Sequence, residues 1–305
     1  MPSIVRALGA MALALGGHAA ALPAQSASAT AGEPGTLRVN GVERTFIIYV
    51  PSTYQRGKPA PVVLVFHGAG GSGRRMAPHT GFNRLAEREG FVAVYPDGLG
   101  RRWNDGRSAA ARHDDVGFVK ALLDTLHREL SLDSTRVYAT GISNGAMFSY
   151  RLACDLPGVL AAIAPVAGAT PANLTAGCAQ TTPVSVLAIQ GTADPLLPYA
   201  GGGVAGVRGS VLSARESIAF WAKLAGCGEA PAVTEEPDRV RDGTRVQLTA
   251  YAGCRDGRGV ELHTVQGGGH TWPGGPPVGR SVGRVSREID ATALIWEFFA
   301  RHSRP

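Results

Sequence analysis

Ser143 stands in Gly141-Ile142-Ser143-Asn144-Gly145, a G-x-S-x-G pattern. A serine in this pattern can act as a nucleophile when the chain turns sharply around it, and its flanks predict such a turn. A short apolar run ends at Gly141, and Ala146 to Ala153 reads as a helix. Strand, tight turn and helix are the context in which the pattern becomes a nucleophile elbow. A side chain at Gly141 or Gly145 would crowd the neighbouring strand and helix. The turn also sets backbone N–H groups and the positive end of a helix beside the serine oxygen. The competing reading is a structural turn in a chain that carries 41 glycines.

A serine hydroxyl needs a base to take its proton and an acid to orient that base. Behind an elbow, the order along the chain is Ser, then Asp or Glu, then His. Asp194 follows the apolar run Val184 to Gly191, in Gly191-Thr192-Ala193-Asp194-Pro195. A loop just past a strand's C-terminal end is where parallel sheets place their sites. His270 lies in Gly267-Gly268-Gly269-His270-Thr271-Trp272-Pro273-Gly274, after a strand and before the last helix. Ser143, Asp194 and His270 are therefore the candidate catalytic residues. His263 lies inside a strand, and His79, His113 and His127 precede the serine. Asp97 also precedes the serine and reads as a turn residue.

An oxyanion formed at Ser143 would need two backbone N–H donors. Asn144 follows the nucleophile directly, and Ala69 lies in the loop His67 to Gly73. A phosphate-loop reading of that loop fails for want of the lysine and Ser/Thr of a P-loop. Trp272, two residues from His270, and Trp103, in a loop after an earlier strand, are candidate walls for an apolar or aromatic substrate group. His67 is a further candidate on the substrate side. No metal or organic cofactor is implied.

These residues need a scaffold. Thr36 to Val50 reads as a hairpin around Asn40-Gly41. Val62 to Phe66 and Phe91 to Tyr95 are unbroken apolar runs, as suits strands buried on both faces. A helix is expected around Phe82, Leu85 and Ala86, and a long one opening at Asp114-Asp115 with Val116, Val119, Leu123, Leu126 and Leu130 at helical spacing. Strands are expected at Ala161–Gly168, Val184–Gly191, Arg245–Tyr251 and Val260–Val265. Helices are expected at Val211–Ala225 and Ser286–His302. Alternation of this kind predicts an α/β fold with a mostly parallel sheet, helices on both faces and an N-terminal antiparallel hairpin. No long helical insertion separates the late strands, so no large lid is expected.

The N-terminus reads as a signal peptide over residues 1–29: Arg6, an apolar stretch from Ala7 to Leu15, then Ala27-Ser28-Ala29 as a cleavage site. Residues 30–305 then form one catalytic domain, secreted into the periplasm or the medium. No later run approaches the ~20 apolar residues of a membrane helix. Cys154, Cys178, Cys227 and Cys254 allow three pairings; Cys154–Cys178 and Cys227–Cys254 each close a modest local loop and are favoured. The net charge is +6, one unit of it from Arg6. The arginines are scattered, and no aromatic-interleaved basic helix suggests nucleic acid. The expected partner is an ester substrate, and the expected state a monomer.

The strand Val62–Phe66 with His67-Gly68, the Gly141–Gly145 elbow, Gly191-Thr192-Ala193-Asp194 and Gly269-His270-Thr271-Trp272-Pro273-Gly274 resemble the polyhydroxybutyrate-depolymerase-type esterases. Those esterases are close to the secreted feruloyl and acetylxylan esterases. The resemblance spans nearly the whole mature chain, and implies an α/β-hydrolase fold with Ser143, Asp194 and His270 as its triad. It also supports the two local disulfides. Many relatives carry Cys after the His-Gly and Gln shortly beyond; here Ala69 and Gly70-Gly71 stand instead, and the backbone donor is retained. The implied substrates are hydroxyalkanoate oligomers or, alternatively, feruloyl or acetyl esters on plant polysaccharide. A catalytically silent hydrolase-like binding protein is the alternative of another class, and is disfavoured by the complete triad.

Overall fold

The hairpin expected around Asn40-Gly41 forms between β1 (Glu33–Val39) and β2 (Val42–Tyr49). Asn40 and Gly41 adopt φ of 50° and 79°, the left-handed pair that a two-residue hairpin turn requires. A computed structural model describes residues 32–107, 113–178, 183–204 and 209–305 of the chain. The expected signal peptide lies outside the described residues.

The elements then alternate. β3 (Ala60–Phe66), α1 (Gly73–Thr80), α2 (Phe82–Glu89) and β4 (Val92–Pro96) come first. α3 (Asp115–Glu129), β5 (Leu132–Ile142), α4 (Asn144–Asp155), β6 (Ala162–Val166) and β7 (Ser185–Gly191) follow. β8 (Gly202–Gly203) and β9 (Ser210–Val211) pair only with each other. α5 (Ala214–Leu224), β10 (Ala232–Glu235), β11 (Arg245–Tyr251), β12 (Val260–Gln266) and α6 (Ala291–Ala300) complete the described chain.

Ten strands form one sheet in the order β1-β2-β4-β3-β5-β6-β7-β12-β11-β10. The six central strands, β4 through β12, are parallel to one another, with antiparallel pairs at both edges. Side chains alternate across the sheet, so β3 serves two cores. Val62, Leu64 and Phe66 face α3, α4 and α5 through Phe118, Leu122, Phe148 and Trp221. Val63 and Val65 face α1, α2 and α6 through Met76, Phe82, Ile295 and Phe298. This is the α/β-hydrolase architecture.

Three helix boundaries differ from the sequence expectation. The helix around Phe82 is one of two, because Gly81 adopts φ 72° and ends α1. α5 starts at Ala214 rather than Val211, since Ser213 and Glu216 close a capping box there. α6 starts at Ala291 rather than Ser286. Asp290 caps it by accepting from Thr292 N–H and Ala293 N–H. The preceding residues are spent on loops: Glu288 accepts from Arg239 N–H and Val240 N–H.

Cys154 is bonded to Cys178 and Cys227 to Cys254. The first bridge ties the last turn of α4, the helix behind the elbow, to a fully buried Cys178. Replacing Cys154 and Cys178 together by Ala should lower stability by about 3 kcal/mol, from the 24-residue separation that the bridge closes. Denaturant unfolding of oxidised and variant protein measures that difference; a change below 1 kcal/mol would contradict it.

Candidate active site

Ser143 sits between β5 and α4 with φ 59° and ψ −119°. This is a conformation that costs a non-glycine residue energy and persists only where surroundings impose it. The surroundings are visible. Ser143 N–H donates to Val166 O at 3.0 Å, and Ser143 O accepts from Met147 N–H at 3.0 Å. A Cβ at Gly141 would lie 2.6 Å from Phe66 O, and one at Gly145 2.4 Å from the same oxygen. Both glycines are thus required by backbone atoms of β3, which cannot move aside. Gly168, after β6, packs closely too: a Cβ there would lie 2.5 Å from Ala146 Cβ and 3.0 Å from Ser143 O.

Asp194 follows β7 and His270 follows β12, and both strands run parallel to the β5–β6 pair. Their C-terminal ends therefore open on the same edge of the sheet as Ser143. The two loops are joined. Ala193 N–H donates to Gly268 O at 2.9 Å, and Gly267 N–H donates to Thr192 Oγ1 at 2.9 Å. A Cβ at Gly191 would fall 2.3 Å from Gly268 O, so a larger residue would force the loops apart. His270 Nδ1 lies 2.7 Å from Asp194 Oδ2. The other carboxylate oxygen accepts from Leu196 N–H and Leu197 N–H, each at 2.8 Å. The Asp194 side chain is fully buried. A carboxylate so placed accepts the Nδ1–H of a neutral imidazole and leaves Nε2 as the basic nitrogen.

The two candidate backbone donors follow neighbouring parallel strands: Ala69 lies in the loop after β3, and Asn144 opens α4 after β5. A Cβ at Gly68 would lie 3.4 Å from Ser143 Cβ, so the His67–Gly73 loop passes directly beside Ser143. Among the described residues, neither Ala69 N–H nor Asn144 N–H donates to a protein acceptor. The Asn144 side chain, by contrast, is held firmly. Its Oδ1 accepts from Trp103 N–H at 2.7 Å; its Nδ2 donates to Trp103 O at 3.0 Å and to Asp105 Oδ2 at 2.7 Å.

Three substrate-side expectations are corrected. The Trp103 ring is buried, stacked on Phe148 with centroids 4.9 Å apart and edge-on to Phe66. Its Nε1–H donates to His67 O at 2.9 Å. Trp272 is buried against Phe82, and its Nε1–H donates to Thr292 Oγ1 at 3.0 Å. His67 is 1% exposed. Its Nε2 accepts from Gly98 N–H at 3.0 Å, and its Nδ1–H donates to Gly68 O at 2.8 Å. Burial pushes its pKa down, so it stays neutral and keeps both bonds. All three side chains build the site from behind rather than line it.

Two acidic residues matter more than their sequence context suggests. Asp97, read as a turn residue, accepts from Gly73 N–H at 2.7 Å and from Thr45 Oγ1 at 2.7 Å, and so fixes the far end of the His67–Gly73 loop. Asp115, read as a helix start, forms a buried pair with Arg44 at 2.7 Å and accepts from Asn104 N–H with its other oxygen. No sequence signal separates such residues from ordinary turn and cap aspartates.

With this geometry in view, the likenesses to known proteins are informative. Residues 45–194 match the family described as esterase PHB depolymerase. NocK of Nocardia uniformis subsp. tsuyamanensis, an esterase by name, is 32% identical over 90% of this chain and 84% of its own. The chain belongs to the PHB depolymerase family of esterases. Its activity class, carboxylic-ester hydrolysis, follows from that membership. Feruloyl esterase D of Neurospora crassa is 28% identical over 88% of this chain and 86% of its own. Feruloyl esterase B of Piromyces equi is 30% identical over 74% of this chain, which spans 42% of that longer protein. The solved acetyl xylan esterase from Aspergillus awamori superposes with a TM-score of 0.62 over 88% of this chain and 100% of its own. At 18% identity that match speaks for the fold.

Proposed function

We propose that this chain is a secreted serine esterase with Ser143 as nucleophile, His270 as base and Asp194 as the orienting acid. The observation that carries the reading is the His270–Asp194 contact at 2.7 Å, on the sheet edge where a strained Ser143 ends its own strand. Ser143 Oγ attacks the ester carbonyl carbon while its proton passes to His270 Nε2. The resulting oxyanion is met by Ala69 and Asn144 N–H. The tetrahedral intermediate breaks its bond to the alcohol oxygen, which takes the proton from His270. Water, deprotonated by His270, attacks the acyl-serine; the acid leaves and Ser143 recovers its proton. Two disulfides support an oxidising compartment. No helix among the described residues is long and apolar enough to cross a membrane.

The substrate we infer is a feruloyl or acetyl ester carried on plant polysaccharide, because feruloyl esterases recur among the relatives. A second reading, hydroxyalkanoate oligomers, is favoured by the family description itself. Turnover of methyl ferulate, acetylated xylan and 3-hydroxybutyrate oligomers by purified protein separates the two. A fluorophosphonate should label Ser143 alone, as read by peptide mapping. A stoichiometric adduct at another serine, with Ser143 unmodified, would remove the assignment.

A further inference from the structure

The loop from Gly98 to Arg107 has no part in the chemistry above, yet it touches both sides of the oxyanion hole. Trp103 is the point of contact. Its indole N–H donates to His67 O, two residues before Ala69. Its backbone N–H and C=O clasp the carboxamide of Asn144 at 2.7 and 3.0 Å. One residue therefore bridges the two segments whose N–H groups must converge on a single oxygen.

Trp103 is itself held from three directions. Its ring is fixed by Phe148 and Phe66. Asp105 accepts from Asn144 Nδ2 and is buried against Arg107, whose Nε and Nη2 reach the same Oδ2 at 3.0 and 2.7 Å. Asn104 N–H is anchored on Asp115, which is paired with Arg44 under the loop. An exposed loop would need none of this; buried charges and a clasped amide give a rigid mount.

We propose that Trp103 is a positioning residue that sets the spacing between the Ala69 and Asn144 donors, and so acts on transition-state stabilisation through them. The inference rests on the serine-esterase reading above. Ground-state binding needs the substrate groove, whereas oxyanion stabilisation needs donors placed to a fraction of an ångström. Loss of the strut should therefore lower kcat and spare KM.

The test compares wild type with Trp103→Phe, which keeps a stacking ring but loses the N–H, and with Asn144→Ala, which keeps the backbone donor but loses the clasp. With p-nitrophenyl butyrate, each should lower kcat by about 10- to 100-fold, less than the roughly 10²- to 10³-fold cost of removing an oxyanion donor outright. KM should stay within twofold. A trifluoromethyl ketone, which forms a tetrahedral oxyanion on the serine, should lose affinity by the same factor as kcat/KM. Circular dichroism and thermal unfolding check that each variant is folded; if Trp103→Phe is not, Asn144→Ala carries the comparison. A folded variant with kcat within twofold of wild type overturns the proposal. So does a rise in KM with unchanged ketone affinity, which is the mark of a merely structural role. Wild-type protein inactive on every ester would remove the underlying reading instead.

Discussion

Ser143→Ala should lower kcat for ester hydrolysis by about 10⁶-fold, and His270→Ala should do nearly as much. In the proposed mechanism neither residue works without the other. The alanine variant has no oxygen to bond the acyl carbon, and the His270 variant has nothing to take the Oγ proton. The double variant should therefore be no slower than the single ones. Alanine at position 143 keeps the φ 59° turn as well as serine does, because the strain lies in the backbone and not in Oγ. The folded scaffold and the two backbone donors should survive, leaving the small rate enhancement that binding and an oxyanion hole supply alone. Steady-state rates on p-nitrophenyl butyrate decide the matter. If the losses multiplied in the double variant, the two residues would be acting separately and the triad would be the wrong description.

The candidate site was legible because each of its three proposed members is marked locally. Gly141 and Gly145 mark the elbow, and both prove to abut β3 backbone oxygens. Gly191 and the Gly267–Gly269 run mark two loops that the structure finds packed against one another. The parallel sheet was legible from unbroken runs such as Val62–Phe66, every residue of which is fully buried. Helix starts were less so. Glu288 reads as the first turn of a helix, yet it serves the loop at Arg239 and Val240. Only a tertiary partner some fifty residues away decides that use.

The tryptophans show the limit most clearly. Sequence proximity sets Trp272 two residues from His270, the proposed base. It does not say on which side the ring falls, and the ring falls into the core between α2 and α6, bonded to Thr292. Trp103 similarly sits in a polar loop, whose composition suggests exposure. Its burial follows from Phe66 on β3 and Phe148 on α4, residues on either side of it in the chain but distant in number. A large ring with one polar atom can serve either as a wall or as a strut. The choice is made by packing, which no local pattern encodes.

Asp194→Asn should lower kcat about 10⁴-fold while leaving the fold intact. The reason is the direction of its bonds. Asp194 Oδ1 accepts two backbone N–H groups, from Leu196 and Leu197, and Oδ2 faces His270 Nδ1 at 2.7 Å. An asparagine must keep its one oxygen toward the two backbone donors, since turning its NH₂ there would set donor against donor. Its NH₂ then faces His270. Nδ1 is obliged to accept, the ring proton moves to Nε2, and the nitrogen needed as base is already protonated. The side chain is nearly isosteric and still bonded on both sides, so unfolding should change little. Nitrogen-15 shifts of His270 should report the tautomer directly, with Nδ1 protonated in wild type and Nε2 protonated in the variant. Retention of kcat within tenfold, or an unchanged tautomer, would mean that Asp194 does not govern the base. The second acid would then have to come from elsewhere on the same sheet edge.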